Sequence, residues 1–193
     1  METNPLSVTL AAALNSQITR EAYASQFYLS YATWAESQGL SGIGAFVFQH
    51  AMDERNHMLK IMQYILQRGS QVVLETVPAS PPHPDSIHDC VVKAFEQEVE
   101  KTKAVYAIMK MSFQEEDWAT WNFIRWFIRD QIKEEMLAMN LIHKLKFSGD
   151  EKLMGKELVD LDKDMVREGA DAQTETGLND ASESGLLNFD PAN

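Results

Sequence analysis

The sequence predicts an all-α fold: a four-helix bundle with one long crossover between helices 2 and 3, a short fifth helix and a flexible C-terminal tail. Apolar and aromatic residues recur at spacings of three and four through four long segments, which is the pattern of amphipathic helices. The few glycines and prolines lie between these segments, where turns are expected. At 193 residues, the chain is long enough for one domain with a full hydrophobic core.

The first two helices have clear boundary signals. Helix 1 is expected to run from about Pro5, which suits a first helical turn, to about Ser37. The two glycines of "QGLSG" break the pattern there, and Ser41 is the expected N-cap of helix 2. Helix 2 then continues to about Arg68.

The second half of the chain begins after a proline-rich connection. Helix 3 is expected to start at a cap formed by Asp85 or Ser86 and to run to about Phe113. The short break "QEED" precedes helix 4, which covers residues 118–147, and a fifth helix is expected within residues 150–165.

The connection lengths predict the topology. Helix 2 is roughly 40 Å long, and the connection of residues 70–85 reaches roughly 50 Å when extended, so it can return along the whole bundle. The other two loops are short and favour antiparallel neighbours. We assign residues 1–166 to the bundle domain and residues 167–193 to an acidic, disordered tail.

Charge and cysteine content exclude several classes of protein. The chain has 29 acidic and 17 basic residues, a formal net charge of −12, which opposes binding to nucleic acid. The N-terminus has no basic region followed by an apolar block, so neither a signal peptide nor a membrane span is expected. With Cys90 as its one cysteine, the chain has no disulfide framework, which favours a cytoplasmic location.

Polar residues interrupt the apolar stripe of each long helix. In helix 2 these are Glu54 and His57, which are three residues apart and therefore share one helix face. The other three helices carry a glutamate at a similar depth, namely Glu21, Glu98 and Glu134. Any one of them, taken alone, more often reaches solvent near a helix end. Four glutamates at one depth instead indicate a metal centre in the bundle core.

Charge balance is the second argument for a metal centre. Buried carboxylates that stay ionised and unpaired cost several kcal/mol each, and we expect no arginine or lysine on the inward faces at that level. Two divalent cations would neutralise the four glutamates, and a neutral His57 adds a nitrogen donor without changing this balance. Carboxylates with one imidazole suit iron, manganese or zinc, with positions left open for dioxygen.

At these residues the sequence resembles the ferritins, most closely the haem-free bacterial ferritins, over residues 5 to about 160. The resemblance lies in "REAYASQFY", "HAMDERNHM", "AFEQEVEKT" and "WNFIRWFIRDQIKEEM". It implies a di-iron ferroxidase centre within one subunit. The first iron site would be Glu21, Glu54 and His57; the second would be Glu54, Glu98 and Glu134, with Glu54 bridging.

The resemblance also gives roles to three neighbouring residues. Gln131 matches a glutamine that hydrogen-bonds near the oxygen-binding side of the family's centre. Tyr28 matches a tyrosine that can supply an electron, and Trp126 matches a nearby tryptophan. Plain core packing explains both aromatic side chains equally well.

Departures from related subfamilies bear on cofactors. No haem is expected, because Arg55 stands where bacterioferritins have a haem-ligating methionine and helix 4 lacks their second Glu-x-x-His. Asp53 and Asp130 are weaker candidates for a third iron site. Whether the third site exists is left undecided by the sequence, because Lys133 occupies a position where the family usually has a glutamate.

The function implied by the resemblance is iron storage and detoxification. The chain would oxidise Fe²⁺ to Fe³⁺ with dioxygen and store the ferric mineral inside a hollow shell of 24 copies, with no nucleic-acid or membrane partner. A di-metal oxidase or oxygenase acting on an organic substrate is an alternative, although the sequence shows no apolar substrate channel. A non-catalytic scaffold bundle is another alternative, but it does not explain why the fold would bear the free-energy cost of burying four carboxylates.

The tail has its own set of alternatives. From Glu168 onward it has no Lys or Arg and no helical stripe, and its one apolar cluster is "GLLNF". Such a cluster suits docking into a groove on a neighbouring subunit or on an unknown partner. If the tail follows the path of the family's fifth helix, it lies in the cavity; if it turns outward, it is available to partners. An inert, solvated tail is the remaining alternative.

Overall fold

A computed structural model describes residues 5–147, 160–163 and 165 of the chain. Its long elements are four helices: α1 (Val8–Ser37), α2 (Ser41–Gln67), α3 (Ile87–Gln114) and α4 (Trp118–Phe147).

The predicted all-α fold is confirmed. The described part of the fifth segment is helical, and no strand occurs in the described ranges. Within those ranges, no helix combines the length and the apolar character needed to cross a membrane. The predicted tail, residues 167–193, lies outside the described residues.

Local capping signals determine the starts of α1 and α3. Ser7, rather than Pro5, precedes α1, and its side chain accepts a hydrogen bond from the backbone N–H of Leu10 at 3.0 Å. Ser86 caps α3 in the same way, accepting from the backbone N–H of Asp89 at 3.1 Å. In both cases a hydroxyl satisfies an N–H group that the first helical turn leaves unpaired.

The predicted N-cap of helix 2 is wrong. Ser41 is the first residue of α2 and donates to the Glu36 carboxylate, while the N-cap position is Leu40, which offers no side-chain acceptor. The unpaired backbone N–H of Ile43 is bound instead by Asp162 Oδ1 at 2.8 Å. A residue from the fifth helical segment therefore caps α2, and local sequence gives no sign of it.

Gly42 permits the fifth segment to approach α2 this closely. A Cβ atom built at Gly42 would lie 2.0 Å from the backbone oxygen of Asp162. That distance is far inside van der Waals contact, so any side chain larger than hydrogen would push the two segments apart. Glycine is required here for close packing.

The connection between α2 and α3 returns along α1. Asn15 accepts a hydrogen bond from the backbone N–H of Val73 at 2.7 Å and donates to the carbonyl of Gln71 at 3.2 Å. Further along, the Ser80 hydroxyl donates to the carbonyl of Gln26 at 3.1 Å. The predicted long crossover is confirmed, with α1 packed against both α2 and α3, and α3 packed against α4.

Two apolar clusters fill the bundle on either side of a polar layer. One includes Leu14 and Ile18 of α1, and the other includes Phe27 and Tyr31 of the same helix. Glu21 lies between them along α1 and is fully buried. Because apolar packing surrounds this layer, its polar groups must find their partners within the protein or in a bound ligand.

Candidate metal centre

Three buried side chains from α1 and α2 converge in the polar layer. Glu21, Glu54 and His57 are 0%, 1% and 7% exposed, and one ligand atom from each lies within 4.8 Å of the other two. Glu21 Oε2, Glu54 Oε2 and His57 Nδ1 have no hydrogen-bond partner. Buried polar atoms are rarely left unpaired, so three such atoms facing one another fit a cation. In the part of the chain that the structure describes, this is the one such group of three.

Neighbouring polar residues orient two of the three ligands. Gln17, one turn before Glu21, donates from Nε2 to Glu21 Oε1 at 2.6 Å and leaves Oε2 unpaired. Asp130 Oδ2 lies 3.1 Å from His57 Nε2, while Nδ1 lies 3.5 Å from Glu54 Oε2. A carboxylate on the outer nitrogen is the usual way in which proteins orient a metal-binding imidazole.

A lysine lies in the centre, and the prediction that no basic residue reaches this depth is wrong. Lys101 of α3 is 1% exposed. Its Nζ contacts Glu54 Oε1 and lies 2.9 Å from Glu98 Oε2 and 4.0 Å from Glu21 Oε2. Because Lys101 follows Glu98 by three residues, both project from the same face of α3, and the long lysine stem carries the ammonium to the carboxylates.

Glu98 is fully paired in the absence of a metal. Its Oε1 accepts a hydrogen bond from the Tyr28 hydroxyl, and its Oε2 accepts one from Gln131 Nε2 at 2.9 Å as well as contacting Lys101. The structure thus brings Tyr28 and Gln131 to the carboxylate of Glu98. Their roles in oxidation stay predictions. Trp126 packs edge-on against His57, with ring centroids 5.4 Å apart.

Glu134 lies at the margin of the centre. Its side chain is 18% exposed, and its Oε2 lies 3.3 Å from His50 Nδ1. His50 in turn packs against the Tyr28 ring at a centroid distance of 5.7 Å. The second predicted iron site needs Glu54, Glu98 and Glu134 together, and the structure does not bring these three into one group of unpaired ligands.

The two candidates for a third iron site make separate contacts. Asp53 Oδ1 accepts a hydrogen bond from Gln49 Nε2 at 3.1 Å, whereas Asp130 pairs with His57. Lys133 is exposed. Neither aspartate belongs to the one group of three ligands found within the described ranges, and the third site stays a prediction.

The glutamates of the centre differ in charge. Burial raises the pKa of Glu21 to about 8 and that of Glu134 to about 7, and it also raises the pKa of Glu98. Burial opposes the ionisation of Glu54 as well, but the Lys101 ammonium holds the Glu54 pKa below its ordinary value. Glu54 is therefore ionised at neutral pH, while Glu21 is mostly protonated.

His57 carries a proton in the metal-free centre. Burial opposes its positive charge, but Asp130 and Glu54 raise the His57 pKa well above its ordinary value. The ionised carboxylates of Glu54 and Asp130 thus face two cations, His57 and Lys101. Two divalent ions are therefore one way to balance the glutamates, and bound protons together with Lys101 are another.

Comparison with known proteins gives the family. The profile described as a ferritin-like domain matches residues 11–148, most of the chain. The chain belongs to the ferritin family. The predicted resemblance is confirmed, and family and site together support iron binding and iron storage as the general function.

Individual relatives are consistent with this ferritin assignment. The chain is 31% identical to a probable bacterial non-heme ferritin-like protein of Haemophilus influenzae over 160 residues, which cover 83% of this chain and 95% of the relative. It is 33% identical to a bacterial non-heme ferritin of Campylobacter jejuni over 145 residues, covering 75% and 87%. A solved structure, the open pore ferritin of Archaeoglobus fulgidus, superimposes with a TM-score of 0.79 at 33% identity, covering 83% and 96%.

Three polar residues of this ferritin centre escaped the sequence-based prediction: Gln17, His50 and Lys101. Their positions relative to the predicted ligands are the sequence signal that could have indicated them. Each lies one helical turn from a predicted ligand and on the same helix face, since the ligands concerned are Glu21, Glu54 and Glu98. Examining the inward face one turn to either side of each ligand would have found all three.

Proposed function

We propose that this ferritin binds Fe²⁺ at Glu21, Glu54 and His57 and oxidises it with dioxygen. The observation that carries this proposal is the set of three unpaired, buried ligand atoms on these residues. A ferrous ion bound there would satisfy all three, since carboxylate oxygens and an imidazole nitrogen suit iron. The ion is the substrate, and it leaves in the ferric state.

The reaction needs two electrons for each dioxygen that is reduced to peroxide. Two Fe²⁺ ions supply them: 2 Fe²⁺ + O₂ + 2 H⁺ give 2 Fe³⁺ + H₂O₂. The predicted arrangement has two iron ions in each centre, and the unpaired ligand atoms support the first position directly. Tyr28 and Gln131 meet at Glu98, beside this position, which suits their proposed roles near the oxygen-binding side. We expect no haem, because Arg55 replaces the methionine ligand.

We propose that the ferric product is stored as mineral in a shell of 24 copies. A bundle of this size holds few ions, so storage requires an enclosed cavity. Exposed apolar side chains support self-assembly where they adjoin one another, as Phe113 and Trp118 do with ring centroids 5.8 Å apart. Large apolar side chains more than half exposed include Leu66, Phe113, Trp118, Ile132 and Met136.

We also propose a cytoplasmic location. The one cysteine of the chain, Cys90, is buried and unpaired, which suits a reducing compartment.

Solution mass and aerobic oxidation test the proposed function together. Twenty-four chains of 21.9 kDa give a particle of about half a megadalton. Addition of Fe²⁺ in air should produce a ferric absorbance that stays with this particle. His57→Ala should abolish fast oxidation and leave the particle intact, because the centre lies inside one bundle. His143→Ala, at an exposed histidine of α4, is the matched control and should oxidise iron like the parent.

One observation favours the alternative of an organic substrate. An apolar cavity reaches the centre at Glu98 and Glu134 and is lined by residues such as Phe46, Val47 and Leu141. The sequence showed no such channel. Product analysis separates the two functions: for a storage protein, dioxygen consumption follows added Fe²⁺ alone, whereas an oxygenase consumes dioxygen in proportion to an apolar substrate.

A further inference from the structure

Lys101 divides the carboxylate cluster into a free side and an occupied side. On the free side, Glu21 Oε2, Glu54 Oε2 and His57 Nδ1 are unpaired. On the occupied side, the other Glu54 oxygen, Oε1, contacts Lys101 Nζ, which also lies 2.9 Å from Glu98 Oε2. The two oxygens of Glu54 thus serve different cations: one is available to a metal ion, and the other already holds an ammonium.

The remaining ligands on the occupied side have other partners. Glu98 Oε1 accepts the Tyr28 hydroxyl, and Glu98 Oε2 also accepts from Gln131. Glu134 faces His50 at 3.3 Å. A second metal ion would therefore have to break existing hydrogen bonds and ion pairs. The first ion fills a position whose three ligand atoms make no hydrogen bond, with His57 Nδ1 no nearer than 3.5 Å to Glu54 Oε2.

We propose that the Lys101 ammonium occupies the second cation position of the centre, so that each chain binds one Fe²⁺ ion tightly instead of two. This inference rests on the proposed function, since it concerns the same site. The physical reason is repulsion: an ammonium bound to Glu54 and Glu98 excludes a divalent ion from the same oxygens. The ammonium also stays in place, because leaving the two carboxylates would make it an unpaired buried charge. Lys101 is 1% exposed, so its ammonium depends on these carboxylates rather than on solvent.

One ion per centre changes where the electrons come from. A bound Fe²⁺ loses one electron on becoming Fe³⁺, and the reduction of dioxygen to peroxide takes two electrons and two protons. The second electron must come from another ferrous ion, bound in another centre or arriving later. The stoichiometry of two Fe²⁺ per dioxygen is unchanged, but the pair is not assembled within one bundle.

Anaerobic titration of the full-length protein with Fe²⁺ tests the proposal. Isothermal calorimetry or equilibrium dialysis should count one tight ion per chain in the parent. Lys101→Met keeps an unbranched side chain, one atom shorter than lysine, and removes the charge; this variant should bind two ions. Lys103→Met is the matched control, because Lys103 lies on the same helix and is exposed; it should bind one.

The outcomes separate this inference from the proposed function. Two tight ions in the parent, or a single ion in folded Lys101→Met, would overturn the inference and leave the proposed function standing. No tight ion in the parent or in either variant would overturn the proposed function itself. If circular dichroism shows that Lys101→Met does not fold, Lys101→Gln takes its place, because glutamine keeps a donor for Glu54 without the charge. Lys101→Gln should also bind two ions, and a single ion would overturn the inference.

Discussion

Glu21 and Glu54 have the same functional group and nearly the same burial, yet they carry different charges. Gln17 donates to Glu21 and leaves burial to raise its pKa to about 8, while Lys101 contacts Glu54 and holds the Glu54 pKa low. Replacing Glu21 and replacing Glu54 should therefore change the free energy of unfolding of the metal-free protein by different amounts. The difference comes from the neighbouring side chains, since the two residues are chemically identical.

We expect Glu54→Gln to destabilise the metal-free protein and Glu21→Gln to stabilise it at high pH. Glu54→Gln removes one of the two carboxylates that lie within 3 Å of the buried Lys101 ammonium and leaves Glu98 as the other, a loss of about 3 kcal/mol. Glu21 has a folded pKa above its unfolded value of 4.5, so its contribution to stability is complete below pH 4.5 and is lost as the pH rises through 8. Glu21→Gln removes this loss.

Denaturant unfolding at pH 5 and pH 8.5 measures both effects. The Glu21→Gln variant should gain stability relative to the parent between these two pH values, by about 4 kcal/mol, because most of the shift of the Glu21 pKa from 4.5 to about 8 lies between them. Equal changes for the two variants at pH 8.5 would contradict the assignment of charge to Glu54 and of a proton to Glu21.

Iron binding should be strongly pH dependent for the same reason. An ion at Glu21, Glu54 and His57 must displace the Glu21 proton, whose pKa is about 8, and the proton that Asp130 and Glu54 stabilise on His57. The affinity for Fe²⁺ should thus rise at least about tenfold per pH unit from pH 6 to 8. Calorimetry in buffers of different ionisation enthalpy counts the protons released, and a count of zero at pH 7 contradicts the prediction.

The helical elements show which features local sequence can predict. The predicted span of helix 4 and the cap at Ser86 agree with the structure, because hydrophobic spacing and capping hydroxyls act within one or two turns. The start of α2 was predicted wrongly, because its cap, Asp162, lies 119 residues beyond Ile43 in the sequence. Lys101 was missed for a related reason: a lysine is normally solvated, and only the facing glutamates of other helices keep it inside.

The contact between α2 and the fifth segment can be tested by substitution. Asp162→Ala removes the acceptor for the Ile43 N–H and should lower the free energy of unfolding by about 1 kcal/mol, the usual loss for a helix cap. Asp160→Ala, at an exposed position of the same segment, is the control and should have little effect. Thermal or denaturant unfolding measures both. Equal losses would contradict the capping role of Asp162.

The proposed storage of mineral requires an assembly of many chains, and the predicted tail, which lies outside the described residues, is a candidate contributor to it. Truncation after Arg167 removes nearly all of the predicted tail. If the tail lies inside the cavity and its carboxylates collect ferric ions, the variant should oxidise iron at the parent's initial rate but form smaller mineral cores. Electron microscopy of loaded particles measures core size. Loss of a co-purifying protein would instead support an outward tail, and no change at all would leave it inert.

The unpaired atoms of Glu21, Glu54 and His57 form the position where we expect this ferritin to hold ferrous iron. Anomalous diffraction at the iron edge, from crystals soaked anaerobically with Fe²⁺, tests it most directly. We expect a peak in every chain at about 2 Å from Glu21 Oε2, Glu54 Oε2 and His57 Nδ1, with Lys101 still bound to the opposite oxygen of Glu54. Absence of iron at this position, with peaks only on surface carboxylates, would contradict it.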